Sequence, residues 1–344
     1  MAKIPATILT GFLGSGKTTL LAQLLRHPQM DKSAVIVNEF GEVGLDHDIL
    51  AESEDIDSNT VLLSSGCICC SISQDLQITM LDLFAKREKK EIPTFNRLVI
   101  ETTGLADPAP IIHTLMTVDL INSFYRLDGI ITTVDTVNGM NTLDRQTESV
   151  KQAAVADRIV ITKSDLGSEQ ELSKLRARLK EINPSSPLLT VVMGEAEPDK
   201  LLNTSLFDPK TKVPDVEGWL NEQAYAGSMP VRHNHHDHHS HHHDVNRHDD
   251  HIRAFCITRE TAINAESFQS MLENLLELRG HDLLRVKGII NLEGRPGPAV
   301  IHGVQHFFHK PLFMKTWPSE DRRTRLVFIT RDISQKVIEN TLSI

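Results

Sequence analysis

The chain has 344 residues, and its 46 Asp and Glu against 36 Lys and Arg give a formal charge of −10; with no dense basic cluster, nucleic acid and anionic membrane surfaces are poor candidates for the main partner. No apolar run reaches the roughly 18 residues that a membrane span needs, and Met1-Ala2-Lys3-Ile4-Pro5 runs straight into a strand-like segment, so a cytoplasmic protein is expected. Single cores rarely grow past about 250 to 300 residues, so one large domain and a smaller one are expected.

The first apolar run, Ala6-Thr7-Ile8-Leu9-Thr10, leads into Gly11-Phe12-Leu13-Gly14-Ser15-Gly16-Lys17-Thr18-Thr19 and then into Leu20-Leu21-Ala22-Gln23-Leu24-Leu25. Strand, glycine-rich loop and helix in that order suit a phosphate-binding loop. The glycines let backbone N–H groups turn inward around phosphates, and the helix N-terminus adds a favourable dipole. Lys17 would reach the β- and γ-phosphates, and the Thr18 hydroxyl would hold Mg²⁺.

A second strand, Ala34-Val35-Ile36-Val37-Asn38, precedes the acidic stretch Glu39-Phe40-Gly41-Glu42-Val43-Gly44-Leu45-Asp46-His47-Asp48. That stretch is either solvated surface or a switch loop whose Glu39, Glu42 or Asp46 contacts Mg²⁺ or completes a metal site. Three of the four cysteines crowd into Gly66-Cys67-Ile68-Cys69-Cys70, and the fourth is the distant Cys256. In a reducing compartment clustered thiols are more often metal ligands or redox groups than structural disulfides. Cys67, Cys69 and Cys70 suit Zn²⁺ or Cu(I), with a fourth position left for water, carboxylate or imidazole; a redox pair or plain buried thiols are the alternatives.

A helix is expected over about Asp75 to Lys89, then the strand Arg97-Leu98-Val99-Ile100-Glu101. Glu101-Thr102-Thr103-Gly104 follows it directly, so the Glu101 carboxylate can hold the Mg²⁺ hydration shell or position water, and the Gly104 N–H can approach a γ-phosphate. Further strands are expected at Gly129 to Val134, Arg158 to Thr162 and Leu188 to Val192, with a helix over Glu169 to Ile182. Strands apolar on both faces and separated by helices mean an α/β fold, a mostly parallel sheet with helices on both faces, whose ligands sit at the carboxyl ends of the strands. Thr162-Lys163-Ser164-Asp165 lies at such an end. In GTP-binding proteins a Lys-x-Asp lets the carboxylate of Asp165 accept the guanine N1–H and 2-amino hydrogens while the Lys163 stem covers the base. The residue before that lysine is usually Asn, and here it is Thr162.

Beyond Leu202 the sheet pattern fades into a connection with one helix expected around Trp219, and residues 233–251 hold ten of the seventeen histidines interspersed with Asp237, Asp244, Asp249 and Asp250. Alternating imidazoles and carboxylates bind several divalent ions weakly and reversibly. Ordered pattern resumes with a strand at Ile252 to Thr258 and a helix from Ala265 to Arg279, periodic in Phe268, Met271, Leu272, Leu275 and Leu276. Strands at Leu284 to Leu292, Ala299 to Phe308 and Leu326 to Thr330 and a last helix from Ser334 complete a small α+β domain. Boundaries are expected at 1–205, 206–251 and 252–344.

These motifs make the chain resemble the CobW-like, zinc-chaperone type of P-loop GTPase. The resemblance is carried by Thr10 to Thr19, Asn38-Glu39-Phe40-Gly41-Glu42, Gly66 to Cys70, Glu101-Thr102-Thr103-Gly104-Leu105-Ala106-Asp107-Pro108 and Thr162 to Asp165. Their order is most similar to the YjiA-type subgroup, with the histidine run inserted. The resemblance implies GTP hydrolysis with Mg²⁺, coupled to delivery of zinc to a client metalloenzyme, with cobalt a second candidate ion and homo-oligomerisation left open. On that basis Lys17 and Glu101 are the catalytic candidates. Gly11 to Thr19, Gly104, Lys163 and Asp165 are the candidate nucleotide contacts, and Cys67, Cys69, Cys70 and Glu42 are the zinc candidates, with the fourth ligand left open. A GTP-regulated metal buffer or sensor built on the histidine run is the alternative.

Overall fold

The apolar runs that form the inner strands of the first two hundred residues do so because they are covered on both faces. The structure, a computed structural model, describes residues 3–38, 61–65, 72–203, 220–225 and 251–342. In it β1 (Ile4–Gly11), β2 (Ser33–Asn38), β3 (Val61–Ser65), β4 (Arg97–Glu101), β5 (Tyr125–Asp135), β6 (Arg158–Thr162) and β7 (Leu188–Thr190) form one seven-stranded sheet, ordered β3-β2-β4-β1-β5-β6-β7. Every pair in it is parallel.

Parallel strands need crossovers, and the described ones run through α1 (Lys17–Leu25), α2 (Ile72–Glu88), α3 (Ala109–Thr117), α4 (Asp119–Phe124), α5 (Gly139–Arg145), α6 (Thr147–Val155) and α7 (Glu169–Ile182), while α8 (Pro198–Leu201) follows β7. Alternation along the strands sends Leu9, Val35, Val37, Val99, Ile131 and Val160 to one face, where they pack with Leu20, Leu21, Leu24 and Leu25 of α1. Ile8, Ile36, Ile100 and Ile130 are also buried, on the opposite face by the same alternation. Fully burying such a side chain contributes about 1.5 to 3 kcal/mol, so this double-sided packing fixes the sheet whose carboxyl edge carries the site.

At the other edge the register of β1 against β5 shifts between Ala6 and Thr7, and Asp128 is the residue passed over. It is 1% exposed, and it accepts hydrogen bonds from Arg97 Nη1 at 2.9 Å, Asn203 N at 2.9 Å and Thr7 Oγ1 at 3.3 Å. A buried carboxylate is tolerated only when paired in this way.

The chain divides into two units, the first comprising 1–179, 186–214 and 307–310 and the second 180–185, 215–306 and 311–344. The later elements are β8 (Ile252–Arg259), α9 (Ala265–Arg279), β9 (Arg285–Ile290), β10 (Ala299–Val304), β11 (Phe307–Phe308), β12 (Leu312–Phe313), β13 (Thr324–Arg331) and α10 (Gln335–Leu342). In the second unit β10, β9, β13 and β8 form an antiparallel sheet in that order, with β12 on β10. Asn264 caps α9 by accepting from the Glu266 and Ser267 N–H groups, both at 3.1 Å. Phe268 and Leu275 of α9 and Ile338 and Leu342 of α10 are buried.

The α/β class with a separate α+β unit agrees with the sequence expectation, and the differences are local. β3 was not foreseen, nor were α3 to α6. The strand expected over Ala299 to Phe308 breaks after Val304, because Gln305 adopts a left-handed φ of 53°. Trp219 lies outside the described residues. Among the described residues no helix is long and apolar enough to cross a membrane.

Candidate nucleotide site

β1 ends at Gly11, and the chain there turns so sharply that no other residue fits. Gly11 has φ 142°, and a Cβ on it would stand 2.3 Å from Thr133 Oγ1 and 2.5 Å from the Thr133 carbonyl oxygen. The loop closes with Ser15 N donating to Phe12 O at 3.1 Å. Hydroxyls fasten it from below: Thr133 Oγ1 donates to Thr10 O at 3.3 Å, and Ser15 Oγ bonds Thr133 Oγ1 at 2.6 Å. Lys17, 8% exposed, folds back so that its Nζ donates to Gly11 O at 3.0 Å and Phe12 O at 3.2 Å. The ammonium is thereby held over the loop rather than in solvent. α1 starts behind Gly16 with no side-chain cap and no acidic residue in its first turn, which leaves its partial positive end for a ligand.

β4 delivers the second group. Glu101 is its last residue, 2% exposed, and its Oε1 accepts the Thr18 hydroxyl at 2.8 Å. A hydroxyl and a carboxylate converging at the start of α1 are hard oxygen donors, and this pair fits Mg²⁺. The chain then crosses the phosphate loop: Thr102 N donates to Leu9 O at 2.9 Å, and Thr102 Oγ1 to Thr10 Oγ1 at 2.8 Å. Gly104 lies so close that a Cβ on it would meet Leu13 N at 2.5 Å. Asp107 Oδ1 then accepts from Ala109 N at 2.9 Å and opens α3.

β6 closes the other side. Thr162 Oγ1 donates to Ser15 O at 2.7 Å, and Lys163, at a left-handed φ of 53°, sends its Nζ to Gly14 O at 2.6 Å. Asp165 is exposed and Ser164 Oγ donates to Val191 O at 3.3 Å. Thr162, standing where Asn is usual, thus ties β6 to the phosphate loop. The structure therefore brings Gly11 to Thr19, Glu101, Gly104 and Lys163 together, with Asp165 two residues beyond Lys163 at the same strand end.

Cys67, Cys69, Cys70 and Glu42 lie outside the described residues, as do residues 226–250 of the histidine-rich region. Its last histidine, His251, bonds Asp332 through Nδ1. Among the described residues no group of three or more His, Cys, Asp or Glu could hold a metal ion. Cys256 stands apart on β8, where burial pushes its thiol up to about 12. Thr133 and the tie made by Thr162 were missed from sequence. A threonine at a strand end carries no motif.

The CobW/HypB/UreG nucleotide-binding domain matches residues 5–190, and the C-terminal domain of the cobalamin synthesis protein CobW matches residues 252–343. The zinc chaperone YjiA of Escherichia coli is 34% identical over 98% of this chain and 97% of its own. The zinc chaperone CobW of Pseudomonas aeruginosa is 30% identical over 99% of this chain and 91% of its own. The crystal structure of the Zn(II)-bound YjiA GTPase from E. coli aligns with a TM-score of 0.72 at 29% identity, covering 100% of this chain and 99% of that one.

Proposed function

The chain belongs to the CobW/HypB/UreG family of nucleotide-binding proteins, and from that premise we propose that it is a GTP-hydrolysing zinc chaperone that holds zinc on Cys67, Cys69 and Cys70 and releases it to a client metalloprotein. The observation that carries the proposal is the convergence of Lys17, Thr18 and Glu101 at the open end of α1, with the Thr18 hydroxyl on Glu101 at 2.8 Å. Lys17 exchanges its carbonyl partners for the β- and γ-phosphate oxygens, and the loop N–H groups close around them. Thr18 would hold Mg²⁺, and the ion would neutralise charge on the β- and γ-phosphates. The Glu101 carboxylate would hold the ion's hydration shell or position the attacking water. Lys163 covers the base and Asp165 accepts its N1–H and 2-amino hydrogens, which adenine lacks, so GTP is preferred.

Topology favours a link between nucleotide and metal. β3 ends at Ser65 and α2 starts at Ile72, bracketing the cysteines, and β3 runs parallel to β2 and β4. The strand end that precedes the cysteines therefore belongs to the same sheet edge as Glu101. Glu42, in the segment after β2, is the proposed fourth ligand. The relatives' printed names support zinc as the cargo, and cobalt is the competing ion. Slow intrinsic turnover, raised by zinc or by the client, is expected.

Phosphate release from GTP and from ATP, together with zinc stoichiometry before and after changing Cys67, Cys69 and Cys70 to Ser, tests the proposal. GTP-selective release and loss of one tight zinc are expected. Equal use of ATP, or unchanged zinc stoichiometry, would refute it. The ten histidines of residues 233–251 favour a second reading, a metal buffer. In that case deletion of this run, rather than of the cysteines, removes most of the bound metal.

A further inference from the structure

The loop that follows Glu101 is held from behind by a side chain with no assigned role. Gln152 lies on α6 and is 0% exposed. Its Nε2 donates to Gly104 O at 3.3 Å and to Ala106 O at 3.0 Å. Two carbonyl acceptors on one nitrogen fix the orientation of the amide, because only the NH₂ end has hydrogens to give. One residue earlier, Lys151 Nζ pairs with Asp107 Oδ2 at 3.4 Å, with the two side chains 23% and 32% exposed. The backbone of α6 is itself anchored, since Thr132 Oγ1 of β5 donates to Gln152 O at 2.8 Å. Thus a rigid helix fixed on the central sheet grips three successive points of one loop.

The grip has a direction. In a trans peptide the C=O and the following N–H point opposite ways. Drawing the Gly104 and Ala106 carbonyls toward α6 therefore turns the Leu105 and Asp107 N–H groups away from it. In front, Gly104 is pressed against the phosphate loop so closely that a Cβ would stand 2.5 Å from Leu13 N. The loop is clamped between α6 and the phosphate loop; with a nucleotide bound there, a third phosphate would reach this turn, whereas a diphosphate would need only the phosphate loop and Lys17. Both hydrogen bonds from the buried Gln152 Nε2 go to this loop, while its Oε1 has no partner among the described residues.

We propose that Gln152 is a positioning residue that straps the 104–106 turn to α6 and so sets the preference for a nucleoside triphosphate over a diphosphate. This rests on the nucleotide-binding reading above and deepens it. The test is to measure, on the full chain, the affinities for guanosine 5′-(β,γ-imido)triphosphate and for GDP in wild type and in Gln152→Met, which keeps the side-chain volume and removes both donors. Gln152→Met is expected to weaken the triphosphate analogue about tenfold, the worth of one or two buried hydrogen bonds, and to leave GDP nearly unchanged. Equal weakening of both nucleotides, as a merely structural residue would give, overturns the proposal, and so does an unchanged ratio. Should Gln152→Met not fold, Lys151→Met cuts only the outer tie and is expected to lower the triphosphate preference by about threefold; an unchanged ratio there overturns the proposal too. Wild-type protein that binds neither nucleotide would instead refute the nucleotide-binding reading itself.

Discussion

Thr162→Val removes one hydroxyl and keeps the shape of the side chain. Thr162 is 4% exposed and donates to Ser15 O at 2.7 Å, so the change strips a hydrogen bond from a carbonyl in the middle of the phosphate loop. The net loss of a buried neutral hydrogen bond is about 0.5 to 1.5 kcal/mol, and an acceptor left buried without a partner raises it to about 1 to 3 kcal/mol. The added methyl recovers part of this through burial, leaving about 1 to 2 kcal/mol, or a factor of about 5 to 30. Because β6 and the phosphate loop are each anchored elsewhere in the sheet, most of that loss is expected in ligand affinity rather than in global stability. Titration with a fluorescent GDP analogue should show weakening within that range, and Thr162→Asn, whose amide can donate to the same carbonyl, should stay close to wild type. Unchanged GDP affinity in Thr162→Val would show that the tie does not shape the loop.

Other consequences can be checked independently. Gly11→Ala places a methyl 2.5 Å from the Thr133 carbonyl at φ 142°, so calorimetry should detect no nucleotide binding even where the variant folds. Asp128→Ala leaves the half-buried Arg97 without its carboxylate, and chemical denaturation should show a loss of about 3 kcal/mol. Arg323 hydrogen-bonds Asp321 and holds its carboxyl at about 2, below the usual 3.8. A depressed carboxyl stabilises the fold above its unfolded value, and that contribution is lost as pH falls from about 4 toward 2. With the Asp321 side chain 28% exposed, solvent screening limits the effect to about 1 kcal/mol, and Asp321→Asn should flatten this acid limb of a stability profile.

The strands that build the sheet core were legible because Val35, Ile36 and Val37, or Ile159, Val160 and Ile161, are apolar on both faces, and only a doubly covered parallel strand needs that. β3 escaped notice because Val61-Leu62-Leu63-Ser64-Ser65 is a short edge strand with two serines at its end. α5 and α6 begin Gly139-Met140-Asn141-Thr142 and Thr147-Glu148-Ser149, polar openings that look like loop until tertiary packing buries Leu143, Val150 and Gln152. Gly11 to Thr19 and Lys163 stood out in the sequence by spacing, and the structure brings them together through the Lys163 bond to Gly14. The other ties did not stand out: Thr133, Thr162 and Gln152 act through single hydroxyls and one amide, whose meaning depends on which carbonyl stands opposite.

Coupling between nucleotide and metal is the central claim, and linkage requires it to be reciprocal. The most direct measurement is a competitive zinc titration of the full chain saturated with a non-hydrolysable GTP analogue and Mg²⁺, beside the same titration with GDP. A GTP-driven zinc chaperone should bind zinc at least tenfold more tightly in one nucleotide state than in the other, about 1.4 kcal/mol of coupling, and should lose that difference when Cys67, Cys69 and Cys70 are changed to Ser. Equal zinc affinity in the two nucleotide states would contradict it.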